Sequence, residues 1–206
     1  ILSAGALGEK PNRRLVPTRW SITAVDDTLG KYLRGKIKTN QSIDKPSVWI
    51  NDYIGNRYWV VLTPGKWEYE LVEMKSPGSI WNPDREGNTW IASAHEGYSG
   101  RSSYVEETAG AYYAARLGVL EYLDSIDRQA KCLVIREVSD DYWAPVGVWQ
   151  VRESVRGAFE SEPGIVESFQ GAVKMIAPKL PVSYQDIQRK SSLVAGMQSQ
   201  LSNFTH

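Results

Sequence analysis

Ser47-Val-Trp-Ile-Asn-Asp-Tyr-Ile54, Asn56-Arg-Tyr-Trp-Val-Val-Leu62 and Lys66-Trp-Glu-Tyr-Glu-Leu-Val-Glu-Met74 are three short runs rich in aromatic and valine side chains, punctuated by Gly55-Asn56 and by Thr63-Pro64-Gly65. Such residues favour a pleated, half-buried surface, and turn residues between them predict three adjacent antiparallel strands. In the third run Trp67, Tyr69 and Leu71 alternate with Glu68 and Glu70, the pattern of a sheet with one wet face.

Working outward, Thr89–Ala94 reads as a fourth strand, and Lys131–Val138 is a near-continuous apolar run suited to the centre of the sheet. Helical spacing of apolar residues covers Ser103 or Tyr104 to Ile126, with Ser103 and Glu106 as a capping box; further helices are expected over 146–159 and 163–176. Thr28–Ser42 lacks a clean apolar period and reads as a loop. Strands first and helices later predict an α+β fold: a mixed or antiparallel sheet with helices packed on one face. Residues 1–181 form the single domain, and the polar stretch 182–206 is an exposed, flexible tail.

With 206 residues, 42% hydrophobic and 23% charged, the chain has the composition of a soluble globular protein with one sizeable core. No run approaches the roughly 20 apolar residues of a membrane helix and no cationic, then apolar, leader is present, so no membrane partner and a cytoplasmic location are expected. The single cysteine, Cys132, sits in an apolar run and reads as a buried structural thiol, which excludes disulfides and cysteine zinc sites within this chain. The chain starts at Ile1, from which a processed product or a piece of a longer protein is expected.

Net charge is zero, with 24 basic and 24 acidic residues, yet residues 10–38 carry eight basic side chains against two acids. The chemistry concentrates in Lys10-Pro-Asn-Arg-Arg-Leu-Val-Pro-Thr-Arg-Trp-Ser-Ile-Thr-Ala-Val-Asp-Asp27. Pro11 and Pro17 constrain this backbone, so Arg13, Arg14 and Arg19 are expected near one another. Guanidinium forks of that kind clamp phosphate; the alternative is an internal salt-bridge network with Glu9, Asp26 or Asp27. The two adjacent aspartates read as capping residues before a metal site. Lys10, Arg13, Arg14, Arg19 and Trp20, with Trp81 and Arg85 from the loop 76–88, form the candidate phosphate or nucleic-acid site, the tryptophans being able to stack on bases. His95 and Glu96, with Glu137, are candidate acid/base groups, and Gly97 and Gly100 permit close approach to a ligand. No metal-ligand set and no cofactor signature stands out.

Near the C-terminus Gln198, Leu201 and Phe204 recur every three residues, which one turn of a three-residue helix would present along a single edge. The Gln-x-x-Leu-x-x-Phe pattern resembles the peptide by which repair and replication proteins bind the sliding clamp. Together with Gly8–Asp27, Trp90–Glu96, Arg136–Val138 and Asp141–Glu153, it makes most of the chain resemble the archaeal Nre family of DNA repair proteins. That resemblance implies a role in DNA damage repair and binding to the archaeal, PCNA-type clamp. It also implies a longer protein whose N-terminal half often bears a zinc-type cysteine cluster, this chain being the C-terminal portion with the N-terminal part missing. Three readings stay open on the residues: a clamp-tethered DNA repair factor that contacts DNA or nucleotide phosphate, an enzyme acting on a nucleotide or phosphodiester, and a structural adaptor.

Overall fold

A computed structural model describes the backbone at 6–7, 11, 14–15 and 18–21, and backbone and side chains over 22–143 and 146–196. The elements run β1 (Ala6–Leu7), β2 (Arg14–Leu15), α1 (Thr18–Ile37), β3 (Gln41–Ser42), β4 (Ser47–Tyr53), β5 (Asn56–Thr63), β6 (Glu68–Lys75), β7 (Trp90–Glu96), α2 (Ala109–Ser125), β8 (Arg128–Gln129), β9 (Lys131–Val138), α3 (Trp149–Ala158), β10 (Gly164–Ile165), α4 (Phe169–Ile176) and α5 (Tyr184–Lys190). The α+β class and the mixed sheet hold. The main sheet has the order β10-β4-β5-β9-β6-β7, antiparallel except for the β6–β9 pair, which is parallel. Small pairs β1–β2 and β3–β8 flank it.

β4 and β5 form the expected hairpin. Ile54 and Gly55 both have positive φ, 51° and 68°, the twist of a two-residue primed turn. Gly55 is required there, because a Cβ would meet the Tyr142 amide nitrogen at 2.4 Å. The second expected hairpin does not form: β6 is separated from β5 by β9. Thr63-Pro64-Gly65 lacks the Asn-Gly or Asp-Gly chemistry that closes a tight hairpin, and β6, buried along most of its length, gains a partner on both edges by this crossing. β9 is central, as its apolar run predicts.

Period-two alternation sends Tyr58, Val60, Leu62, Tyr69, Leu71, Cys132 and Val134 into one core beneath α1, α2 and α3. Val48, Trp59, Val61, Val72, Met74, Leu133 and Ile135 enter a second core on the opposite face. That face, expected to be wet, is covered by α4, α5 and the helical residues 192–196, through Phe169, Val173, Ile187, Leu193 and Val194. Residues 182–196 are therefore packed and not an exposed tail. Glu70 fixes them: its carboxylate accepts from Ser191 Oγ at 2.6 Å and from the Ser192 and Leu193 amides at 2.9 Å each.

Two further expectations give way. Thr28–Ser42 is mostly helix, because the buried stripe of α1 is made of Thr23, Asp26, Gly30 and Ile37, with Leu33 partly buried; the helical period is present but carried by small and polar residues. α2 begins at Ala109 and not at Ser103: Ala109 has φ of 39°, and Val105 is buried with its amide donating to Tyr113 Oη at 2.9 Å, so no Ser103–Glu106 box forms. Among the described residues no helix is long and apolar enough to cross a membrane.

Candidate functional site

His95 and Glu96 are neighbours in β7 and so point to opposite faces. His95 Nε2 lies 2.9 Å from Glu68 Oε1, whose other oxygen takes Lys131 Nζ at 2.8 Å. The histidine bond, opposed by burial, holds the Glu68 carboxyl at about 2, and the same bond raises His95 above the ordinary histidine range. Glu96 faces the other core. It accepts from Arg116 Nη1 at 2.8 Å and from Trp67 Nε1 at 3.0 Å, while Arg116 Nη2 reaches Asp27 Oδ1 at 2.6 Å. Glu137 shares the His95 face but pairs with Met74, whose β7 partner is Ile91, so it lies four residues further along the strand direction, roughly 13 Å, and across two ladders. It accepts from Ser76 Oγ at 3.2 Å and Arg57 Nη1 at 3.5 Å, and burial raises its pKa. The three expected acid/base groups are thus not brought into one site, and each is occupied by structural partners.

Asp26 and Asp27 are not caps. They lie inside α1, Asp26 paired with Arg152 and Asp27 with Arg116 and Lys31. Burial pushes the Asp26 carboxyl up against the pull of Arg152; for Asp27 the Lys31 and Arg116 bonds outweigh burial and lower it. Gly100 serves the fold and not a ligand: a Cβ there would stand 1.4 Å from Arg34 Nη1. Lys10, Arg13, Gln198, Leu201 and Phe204 lie outside the described residues. Arg14 is in β2, and Arg19 and Trp20 open α1, their side chains also outside the description.

The feature that gathers functional chemistry is a cleft of about 640 Å³ at the carboxyl ends of the parallel pair β6 and β9. Its floor holds Glu73 and Arg136. Arg136 donates through Nη1 to Glu73 Oε1, and through Nε and Nη2 to Asn56 Oδ1 at 3.0 and 2.6 Å. Trp81 and Lys75 form one wall, the start of α2 with Gly147 and Val148 the other, and Ile22 of α1 closes one side. Lys75 Nζ sits 3.7 Å over the Trp90 ring, which fixes the cation. Arg85 is exposed in the same loop as Trp81. Arg19 stands one turn ahead of Ile22 and Thr23 on α1. The 95–101 loop, with Gly97 and Gly100, starts at the opposite end of β6, where Tyr69 pairs with Glu96.

Sequence reading missed Glu73, Arg136 and Asn56. The signal was an arginine inside the apolar run of β9 and acids inside β6, which hydropathy alternation assigns to water. Among the described residues, no group of three His, Cys, Asp or Glu could hold a metal ion.

Residues 1–82 match the family model described as Archaeal Nre, N-terminal, and residues 96–204 match Archaeal Nre, C-terminal. The expectation of a C-terminal portion alone is therefore corrected. The chain is 60% identical over 204 residues to DNA repair protein NreA of Haloferax volcanii, covering 99% of this chain and 49% of that protein. It is 43% identical over 173 residues to DNA repair protein NreA of Archaeoglobus fulgidus, covering 84% and 43%, and 39% identical over 176 residues to DNA repair protein NreB of the same organism, covering 85% and 44%. The chain spans about half the length, or slightly less, of these curated relatives. No solved structure matches it. With a family model covering more than half of its residues, this chain belongs to the archaeal Nre family.

Proposed function

We propose that this chain acts in DNA repair, docking on a sliding clamp through Gln198, Leu201 and Phe204 and contacting DNA phosphate through Lys10, Arg13, Arg14 and Arg19. The observation that carries the reading is the 60% identity, along nearly the whole chain, to a protein named for DNA repair. Two features support its finer parts. Asp26 and Asp27, two of the three acids that could have consumed the arginine cluster, are paired with Arg152, Arg116 and Lys31. The Gln-x-x-Leu-x-x-Phe peptide begins two residues after a segment tied to the sheet by Glu70. Tethering of this kind raises local concentration on DNA without high intrinsic affinity. Deletion of residues 197–206 tests it by calorimetric titration against an archaeal clamp: binding is lost while the thermal midpoint stays unchanged. Undiminished clamp binding by the truncated chain overturns the tail's role.

A further inference from the structure

We infer that the cleft at the carboxyl ends of β6 and β9 receives an unpaired nucleobase of a DNA strand. This rests on the DNA-repair reading and names what the site would hold. The volume, about 640 Å³, falls within the range of small-ligand sites. Its lining is charge-balanced: Glu73 and Arg136 pair with each other and Lys75 offsets Glu107, so no net positive charge calls for an anion inside. A neutral planar heterocycle with donors and acceptors on its edges suits such a floor, where Arg136 and Glu73 are held in place by Asn56 and by each other.

The wall supplies the second argument. Trp81 lines the cleft yet is 54% exposed; Trp143, next to the lining residue Tyr142, is 80% exposed; Trp149, packed beside the lining residue Gly147, is 41% exposed. Indoles normally contribute burial energy to a core, so Trp81, left half in water within the cleft lining, offers a flat π face to a partner, with two more exposed indoles on or beside lining residues. Base–aromatic stacking tolerates any base, as a lesion- or gap-handling protein needs. Beyond the Arg136–Glu73 pair, the cations are Lys75, held over the Trp90 ring in the cleft lining, and exposed Arg85 in the Trp81 loop, which supply charge for the flanking phosphates. A second cleft of about 590 Å³ adjoins at Ala109 and carries Tyr104 and Tyr113, giving the next nucleotide a path.

The test uses the whole chain, with fluorescence anisotropy of a labelled single-stranded oligonucleotide, of its fully paired duplex, and of the same duplex with one unpaired base, all at one stated salt concentration. The single strand and the interrupted duplex bind more tightly than the perfect duplex. Trp81→Ala weakens both by about tenfold with an unchanged thermal midpoint, since Trp81 is half in solvent. Tyr32→Ala, an exposed aromatic elsewhere on α1, changes nothing. Equal binding of all three DNAs, or wild-type affinity in Trp81→Ala, overturns the base pocket while leaving phosphate contact and clamp docking in place. Absence of binding to every DNA overturns both the pocket and the arginine contact, and the clamp titration then decides the remaining arm separately.

Discussion

Arg116 Nη1 donates to Glu96 Oε2 across 2.8 Å, with the two side chains 1% and 0% exposed, so the middle of α2 is fastened to the end of β7 by a fully buried charge pair. Asp27 and Arg34 of α1 join the same network, at 2.6 Å from Arg116 and 3.6 Å from Glu96. Gly30 makes the approach possible, a Cβ there standing 3.1 Å from the Arg116 guanidinium.

Truncating one partner leaves an uncompensated charge in the core, which costs more than the pair itself is worth. Glu96→Ala is expected to lower stability by about 3–5 kcal/mol. Glu96→Leu combined with Arg116→Met should cost clearly less than the sum of the single changes. Urea unfolding of the four proteins measures the coupling. Additive losses would mean that the two residues do not depend on each other.

The second prediction concerns the segment that precedes the clamp peptide. Glu70 is buried near the start of β6 and gives both carboxylate oxygens to residues 191–193. Glu70→Ala removes three charge-assisted bonds at once and should loosen residues 184–196 by about 2 kcal/mol or more. Hydrogen exchange at the Leu193 and Val194 amides should accelerate by more than tenfold, with smaller changes in α2. Uniform acceleration across the whole sheet would show that the segment is not a separable unit.

How far the sequence reaches can be judged from particular elements. β9 is legible as a central strand because Cys132 to Ile135 is apolar on both faces, and α2 because its stripe is long. α1 is hidden because its buried positions are Thr23, Asp26 and Gly30, whose contribution comes from fit and charge and not from hydropathy. The parallel β6–β9 pair is hidden because a turn sequence reports only local geometry, whereas the strand order is decided by which edges must be covered. Within the site, Trp81 and Arg85 are readable as loop residues. Glu73, Arg136 and Asn56 become partners only when β5, β9 and β6 stand side by side.

A third prediction follows from His95, Glu68 and Lys131 on the second face. His95 is raised above its usual 6.5 chiefly by its bond to Glu68, so its stabilising contribution is full below 6.5 and fades as pH rises through the higher folded value. Glu68, held at about 2, contributes fully above its usual 4.5 and loses this as pH falls through about 2. The pair is therefore intact between 4.5 and 6.5. Both side chains are partly solvated, so the histidine effect is below about 1 kcal/mol, a few degrees at most. The thermal midpoint should fall as pH rises above 6.5, relative to His95→Gln. Parallel midpoint curves for the two proteins would contradict it.

The floor of the cleft gives the sharpest discrimination between charge and geometry. Arg136 is required to satisfy Asn56 on one strand and Glu73 on the other simultaneously, which a planar fork does and a point charge does not. Arg136→Lys keeps the charge opposite Glu73 but leaves Asn56 Oδ1, on a residue with no exposed surface, short of its donors. An unsatisfied buried acceptor costs about 1–3 kcal/mol, so the lysine variant should unfold at lower denaturant while remaining folded in water. Arg136→Met strands the Glu73 carboxylate as well and should lose more, about 3–5 kcal/mol. Asn56→Ala in the Arg136→Lys background removes the orphaned acceptor, and the double variant should then be no less stable than Arg136→Lys alone. If the lysine variant matches wild type in guanidinium unfolding, Coulomb attraction alone holds the floor and the fork geometry is dispensable.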